Sequence, residues 1–436
     1  MTTPPQKPTS VRQLVLAVTA VLAIFMYVDR VCIAQVSADI QADLDITPAQ
    51  MDWVKSAFFW SYALSQVPAG VLGMRFGHRQ TMAVCLFLWS FFTLVSGLAG
   101  GFAALLGARL AVGVTEAGAY PNAAALVKGW FPVTRRGYAN SVVSFGGRFG
   151  AALGQLLTPA LVALFAGAFF WNGAAVPGWR VVLALFGIVG MLWAVVFYVV
   201  ARDRPAQHPW ANAAEAALAS PVSPTDAPLG RTPLVVFLAS RTLWAFSLMQ
   251  FFINLGWAFI ITQFPDYLQN VHGKTGSEKG LMSSLPGFVG CVGMFVGGFL
   301  TDRLMRTMGV RRGRVVPLAL GTAACGAAFL FCATADSAWA VVAALCVVTL
   351  GTDLAVPAMW AVAQDIGGRR VGPVLGWGNM WGNFGAACCP LLLGWVQRQF
   401  GWPAVFVTAA ASFGLALGLS LMIDARKPLE AESLPS

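Results

Sequence analysis

Long apolar runs separated by short polar loops make up most of this chain. A helix that spans a membrane needs about 20 mostly apolar residues, and twelve runs are of that order. They cover about residues 12–36, 53–74, 80–99, 102–127, 138–167, 180–201, 233–264, 281–304, 315–334, 337–362, 371–396 and 402–423. The pattern predicts an all-α membrane protein with twelve transmembrane helices.

Composition agrees with this prediction. Hydrophobic residues make up 58% of the chain and charged residues 11%, whereas soluble domains carry about 25% charged residues. All eight cysteines lie in apolar runs without metal-ligand spacing, so we expect packing residues and neither a metal site nor a cofactor. The first apolar run is too long for a cleavable signal peptide.

The basic residues predict the orientation of the chain. The net charge of +10 arises in short loops rather than on one basic face, so the expected partner is a lipid bilayer and not nucleic acid. With the N-terminus in the cytoplasm, nineteen Lys and Arg residues lie on the cytoplasmic side and five on the other. This bias predicts a multi-pass protein of a bacterial inner membrane with both termini in the cytoplasm.

A weakly polar stretch rich in Pro, Ala and Ser divides the chain into two halves of six runs each. It covers residues 202–232, so the predicted bundles are 1–201 and 233–436, joined by a cytoplasmic linker. The halves echo each other in the loop after their second run, which indicates an internal duplication, as in transporters built from two six-helix halves.

The echo consists of matching loop residues. The first loop contains Met74, Arg75 and Arg79, and the second contains Asp302 and Arg303. Together with twelve spans and a central linker, these Gly-x-Leu-x-Asp-Arg-like loops resemble the major facilitator superfamily, which implies two pseudo-symmetric six-helix bundles and a gating role for the loops. Met74 stands where the superfamily usually has Asp, so only the second loop is expected to make an acidic loop-to-helix lock.

Six ionisable residues lie deep inside apolar runs, where a charge costs roughly 2.5–3.5 kcal/mol on insertion scales and usually serves a function. They are Asp29, Arg30, Arg109, Glu116, Arg148 and Asp353. Arg109 and Glu116 are seven positions apart, which places them on one helix face. Two readings stay open: buried structural ion pairs, or a cluster in the first half whose spare positive charge balances an anionic ligand.

Residues 27–30, which read Tyr-Val-Asp-Arg, and the spacing Arg109-x6-Glu116 resemble the anion:cation symporter family. That family includes bacterial galactonate and hexuronate transporters and animal sialin and vesicular glutamate transporters. The resemblance implies that Arg109 holds Glu116 when Glu116 is unprotonated. Met26 and Cys32 stand where the family often has Asn, so the first helix is less polar than is usual there.

The same resemblance implies roles for five residues. Arg30 would bind a substrate carboxylate, because its planar fork suits bidentate pairing. Tyr27 lies one turn away on the same face and could hydrogen-bond the substrate. Tyr62 resembles the second tyrosine of the family's site, although a packing role explains it equally well. Asp29 and Glu116 would carry the protons.

Other polar residues in the spans have two interpretations each. Arg148 is either a second substrate anchor or the packing partner of an acid. Asn379 and Asn383, one turn apart, either bind substrate hydroxyls or join helices. Trp360 either stacks on a sugar or packs against its neighbours. Asp353 is either a third titrating site or the cap of a broken helix.

We therefore expect a proton-coupled symporter that imports an organic anion by alternating access and works as a monomer. A sugar acid, a hexonate or hexuronate, is favoured; an aromatic acid, a tartrate-like acid or a dicarboxylate stays open. A drug or cation exporter of the same fold is disfavoured because Arg30 and Arg148 add positive charge. An enzyme is disfavoured because the three histidines fall in loops and no nucleophile motif or nucleotide-binding loop occurs.

Overall fold

The apolar runs of the sequence form long helices in the computed structural model, which describes residues 7–171, 173–218, 234–367 and 371–426. The helices are α1 (Val11–Gln35), α2 (Ser37–Leu44), α3 (Pro48–Phe76), α4 (His78–Gly97), α5 (Phe102–Glu116), α6 (Ala119–Trp130), α7 (Val133–Leu164), α8 (Gly178–Val200), α9 (Ala213–Leu218), α10 (Leu234–Ala239), α11 (Arg241–Thr262), α12 (Phe264–His272), α13 (Gly276–Cys332), α14 (Ala338–Gly367) and α15 (Val371–Met422). A 3-10 turn covers Pro205–Gln207, and two short antiparallel strands, β1 (Phe170–Trp171) and β2 (Ala174–Ala175), pair between α7 and α8.

Several of these helices combine or divide to give the spans. Both α13 and α15 bend at a glycine with positive φ, Gly309 at 76° and Gly401 at 79°, a conformation that glycine adopts readily and other residues rarely do. Each of these two helices therefore crosses twice, and α5 with α6 forms one crossing. Ten helical stretches of the described chain qualify as spans by length and composition; α3 and the division of the last stretch at Gly401 bring the number to the predicted twelve.

Helix ends follow local sequence signals. Thr47 and Gln50 form a capping box at the start of α3, with the Gln50 N–H donating to Thr47 Oγ1 at 3.2 Å and the Thr47 N–H donating to Gln50 Oε1 at 2.8 Å. Ser240 interrupts the predicted run 233–264 because its hydroxyl accepts the Leu243 N–H at 3.2 Å and so starts α11. Hydrophobic pattern alone did not indicate that break.

Each half packs mainly within itself. In the first half α1 packs on α7, α4 on α8, and α3 on α5, and in the second half α13 packs on α14 and α11 on α15. The halves meet where α7 contacts α13 and where α3 contacts α15. We call the end that holds α2, the two strands and α12 the outer end, and the opposite end, which holds residues 202–218, the inner end.

The first gating loop is held differently from what the sequence predicted. Met74 is 70% exposed, and Asp203, just after α8, supplies the acid instead. Its Oδ1 accepts the Arg79 backbone N–H at 2.7 Å. Its Oδ2 lies so close to Gly77 that a Cβ added to this glycine would be only 2.8 Å away. The loop itself has no acid at position 74, and an acid from the segment after α8, distant in sequence, contacts the start of α4.

The remaining gating residues have simpler surroundings. The Arg79 guanidinium donates to the Tyr198 carbonyl at 2.8 and 2.6 Å. Arg75 and Arg303 are exposed, while the side chain of Asp302 lies outside the described part of the structure. The predicted lock of the second loop thus stays a prediction.

The first part of the predicted linker packs against the first half. Glu215 is buried, and its carboxylate accepts the backbone N–H groups of Val11 at 3.2 Å and Arg12 at 2.9 Å. A carboxylate at this position satisfies unpaired N–H groups and complements the helix dipole. Residues 219–232 of the linker lie outside the described residues, and the boundaries between the bundles stay predictions.

Candidate substrate and proton site

Arg30 and Glu116 form a buried ion pair between α1 and α5. Arg30 Nε donates to Glu116 Oε1 at 3.1 Å, and its NH2 group contacts the same oxygen. Glu116 Oε2 has no hydrogen-bond partner among the described residues. The acid of α5 thus neutralises the arginine that was expected to bind the substrate.

Three aromatic rings surround the Arg30 guanidinium. Its central carbon lies 4.6 Å from the ring centre of Tyr27, 4.9 Å from that of Phe58 and 4.8 Å from that of Tyr62. Rings at this distance attract a cation through their quadrupoles. The structure therefore brings together three predicted site residues, and it adds Phe58. The sequence could have indicated Phe58 only through its spacing, because it lies one turn before Tyr62 on the same face of α3.

Arg109 makes no salt bridge with Glu116 among the described residues, although the two charges interact at longer range, and the role that the family resemblance implied stays a prediction. Its NH1 group donates instead to the backbone carbonyl of Asp29 at 3.4 Å, and its guanidinium lies 5.2 Å from the Phe58 ring. Seven positions on a helix correspond to about 10 Å along its axis, so Arg109 and Glu116 share a face without touching. Arg30 reaches Glu116 from the facing helix α1.

Asp29 lies beside this pair in a different environment. Its side chain is fully buried and accepts no hydrogen bond of ordinary geometry within the described chain, although the Trp89 indole and the Arg109 charge interact with it. Buried polar groups are usually paired, so an unpaired carboxyl at this depth indicates a special role. The sequence identified Asp29 as a candidate, and the structure adds that Asp29 forms no salt bridge with any described residue.

A second buried ion pair joins the two halves. Arg148 NH2 of α7 lies 2.5 Å from Asp353 Oδ1 of α14, and the Arg148 guanidinium lies 4.7 Å from the Trp257 ring of α11. Arg148 was interpreted either as a second substrate anchor or as the partner of an acid, and in this structure it pairs with an acid. Asp353 lies in the interior of α14, so the alternative that it caps a broken helix was wrong.

The polar residues of α15 also connect the halves. Asn379 Nδ2 donates to Gln66 Oε1 of α3 at 2.9 Å, and Asn383 Nδ2 donates to the Asn379 carbonyl at 2.8 Å. Trp360 is 42% exposed on α14. The structure thus places Asn379 at the contact between the halves, while Asn383 contacts its own helix.

Residues 19–383 match the family described as Major Facilitator Superfamily. The chain belongs to the Major Facilitator Superfamily. This membership confirms the predicted fold class, and the similarity to named sugar-acid transporters confirms the resemblance to the anion:cation symporters.

Two relatives of this superfamily member cover nearly the whole chain. It is 30% identical to the probable galactarate/D-glucarate transporter GudP of Bacillus subtilis, over 94% of this chain and 91% of the relative. It is 29% identical to the D-galactonate transporter of Escherichia coli O6:H1, over 97% and 98%. Both relatives are transporters, in agreement with the prediction that the chain is not an enzyme.

Solved structures agree on the fold of this superfamily member. A bacterial homologue of the human lysosomal transporter Spinster, in an inward-facing and occupied conformation, superimposes with a TM-score of 0.76 at 21% identity. The match covers 98% of this chain and all of that chain. At this identity the likeness concerns the fold alone.

Two ion pairs join the halves at the outer end of this superfamily member. Lys55 of α3 pairs with Asp266 of α12, and Arg398 of α15 lies 2.5 Å from Asp52 of α3. Gln263 Nε2 also donates to Asp52 at 3.2 Å. We call these two pairs the outer gate. Sequence analysis missed it, although Lys55 and Arg398 are among the five basic residues assigned to the outer side.

Proposed function

We propose that the protein is a proton-coupled importer of a sugar acid in a bacterial inner membrane, with both termini in the cytoplasm. The observation that carries the proposal is the Arg30–Glu116 pair inside its three aromatic rings. A guanidinium held by a single titratable acid can exchange that acid for a substrate carboxylate. The named functions of the relatives, galactarate, D-glucarate and D-galactonate transport, support a sugar acid as the substrate.

The exchange uses the chemistry of the two side chains. Arg30 remains charged and presents parallel N–H groups that match a carboxylate. A proton on Glu116 removes the negative charge that holds Arg30, so the substrate carboxylate takes its place without leaving a buried charge uncompensated. Asp29, unpaired beside this site, would take a second proton. Tyr27 and Tyr62 line the guanidinium and would hydrogen-bond the bound acid.

Residues near the contact between the halves would bind the rest of the sugar. Asn379 and Gln66 already pair across the halves and offer amide groups to hydroxyls. We assign Asn383 and Trp360 supporting roles on the same side. Arg109, next to the Asp29 carbonyl, would hold α1 and α5 in register.

Alternating access would move the halves, 1–201 and 233–436, as two bodies about this site. The outer gate closes one end, so the site would open toward the inner end in this conformation. Breaking the outer gate while the gating loops at Arg75, Arg79, Asp302 and Arg303 come together would expose the site to the other side. A single chain contains every group that this cycle needs, and we propose a monomer.

Uptake into proteoliposomes tests the function. Purified protein, reconstituted with an inward proton gradient, should accumulate radiolabelled galactonate, glucuronate or galactarate, and a protonophore should abolish the accumulation. Vesicles without a gradient would show equilibration only. Failure to accumulate any of these acids, with protein that is folded and correctly inserted, would contradict proton-coupled sugar-acid import.

A further inference from the structure

The Arg148–Asp353 pair has no part in the exchange at Arg30. It joins α7 of the first half to α14 of the second, at the middle of both helices. Arg148 NH2 lies 2.5 Å from Asp353 Oδ1, and the guanidinium lies 4.7 Å from the Trp257 ring. Arg148 is thus a second guanidinium that pairs with a single acid. The site therefore repeats the design of the Arg30–Glu116 pair, with the acid now supplied by the opposite half.

The two members of this second pair differ in exposure. The Arg148 side chain keeps 17% of its surface accessible, whereas Asp353 keeps 2%. Of the two partners, the guanidinium is therefore the one that an incoming ligand can contact first.

Tyr27 connects the two arginines. It lies 4.6 Å from the Arg30 guanidinium, and it is close enough to Arg148 to interact with that charge as well. Gly147, next to Arg148, permits this approach, because a Cβ there would lie 2.8 Å from the Tyr27 ring and 2.5 Å from the Tyr120 hydroxyl. Two guanidinium groups therefore interact with one tyrosine.

We propose that Arg148 binds the second carboxylate of a dicarboxylate substrate, and that Asp353 releases Arg148 by taking up a proton. The proposal rests on the proposed function, in which Arg30 binds the first carboxylate. With Glu116 and Asp353 both ionised, each of the two pairs is neutral. With both acids protonated, two guanidinium groups are free, which matches a dianion and leaves a monoanion one charge short.

Few other titratable groups face the pair. The groups that interact with Arg148 or Asp353 from the elements packed around them are Tyr27 of α1, Tyr120 of α6, and Cys291 and Cys325 of α13. Phenol and thiol groups are neutral in their ordinary forms near neutral pH. Among the described residues, the charge of this site is therefore set by Arg148 and Asp353, and the exchange at Arg148 binds one proton.

Binding of galactarate and galactonate, a dicarboxylate and a monocarboxylate of the same carbon number, tests the proposal. Isothermal titration of the purified full-length protein between about pH 5.5 and about pH 7.5 should show affinity changing about tenfold per pH unit for each proton bound. We expect one proton more for galactarate than for galactonate. Asp353→Asn should remove that difference. Asp365→Asn is the control: Asp365 lies on the same helix and pairs with Arg314 of α13, and its replacement should leave the difference in place.

A neutral double variant separates binding from folding. Arg148→Gln combined with Asp353→Asn leaves no unpaired charge, and it should weaken galactarate binding at least about tenfold more than galactonate binding. Equal weakening of both acids would show that the pair only joins the halves and would overturn the proposal, as would equal proton numbers for the two acids in the unaltered protein. If the unaltered protein binds none of galactarate, galactonate and glucuronate, the proposed function itself fails.

Discussion

Replacing Glu116 with Gln removes the acid that holds Arg30 while keeping its shape. Two charge-assisted contacts from Arg30 end on Glu116 Oε1, and hydrogen bonds to charged groups contribute about 1.5–3 kcal/mol each. An amide oxygen still accepts from Arg30, but a neutral acceptor forms bonds of roughly half that strength. The two bonds together therefore lose about 1.5–3 kcal/mol in the variant, and a substrate carboxylate that binds Arg30 no longer has to compete against this amount.

This magnitude has two consequences for the Glu116→Gln variant. Since each 1.4 kcal/mol is a factor of ten, galactonate should bind about 10–100 times more tightly than in the unaltered protein. Since the proton no longer decides whether Arg30 is free, the affinity should lose the part of its pH dependence that comes from Glu116. Accumulation against a gradient should be lost, while exchange of substrate across the membrane is retained.

Two assays on one preparation check these expectations. Isothermal titration gives the affinity at several pH values, and proteoliposomes give proton-driven uptake and counterflow exchange. Glu278→Gln is the matched control, because Glu278 is half-exposed and pairs with Lys274 away from the site. Proton-driven accumulation at the unaltered rate in Glu116→Gln would show that Glu116 does not couple the proton and would refute the reasoning.

Three further outcomes follow from the contacts. Arg30→Lys keeps the charge but loses the fork and much of the contact with the rings, so galactonate affinity should fall at least about tenfold in isothermal titration; unchanged affinity would assign Arg30 a structural role. Lys55→Gln removes the partner of Asp266 in the outer gate; the buried Cys389 lies beside Pro390, whose carbonyl accepts a hydrogen bond from the Gln263 that also contacts Asp52, so its maleimide labelling from the outer side should rise several-fold. Glu215→Gln weakens the cap of α1, so the free energy of unfolding should fall by about 1 kcal/mol and the melting temperature with it; an unchanged melting temperature would count against the cap.

Much of the site could be identified before the structure, because a charge in an apolar helix is rare and therefore informative. Asp29, Arg30, Glu116 and Arg148 were all recognised in this way. Their partners were not, since helical spacing states which residues share a face and leaves open which helix lies opposite. Phe58 was missed for a related reason: a phenylalanine in an apolar run resembles every other packing residue until a guanidinium lies on it.

The sequence by itself determined the number and placement of the spans and their grouping in a superfamily fold. The physical reason is the membrane. Each crossing requires about 20 apolar residues, and a charged side chain inside the hydrocarbon region is energetically costly, so such charges are rare.

Only the tertiary structure decided which charges meet. Arg30 with Glu116, Arg148 with Asp353, and Asp203 in place of a loop acid are each separated by long stretches of chain. Such pairs depend on how helices pack, and packing is set by the combined shape of many side chains. Local sequence shows that a charge needs a partner, and only the folded chain shows which partner it has.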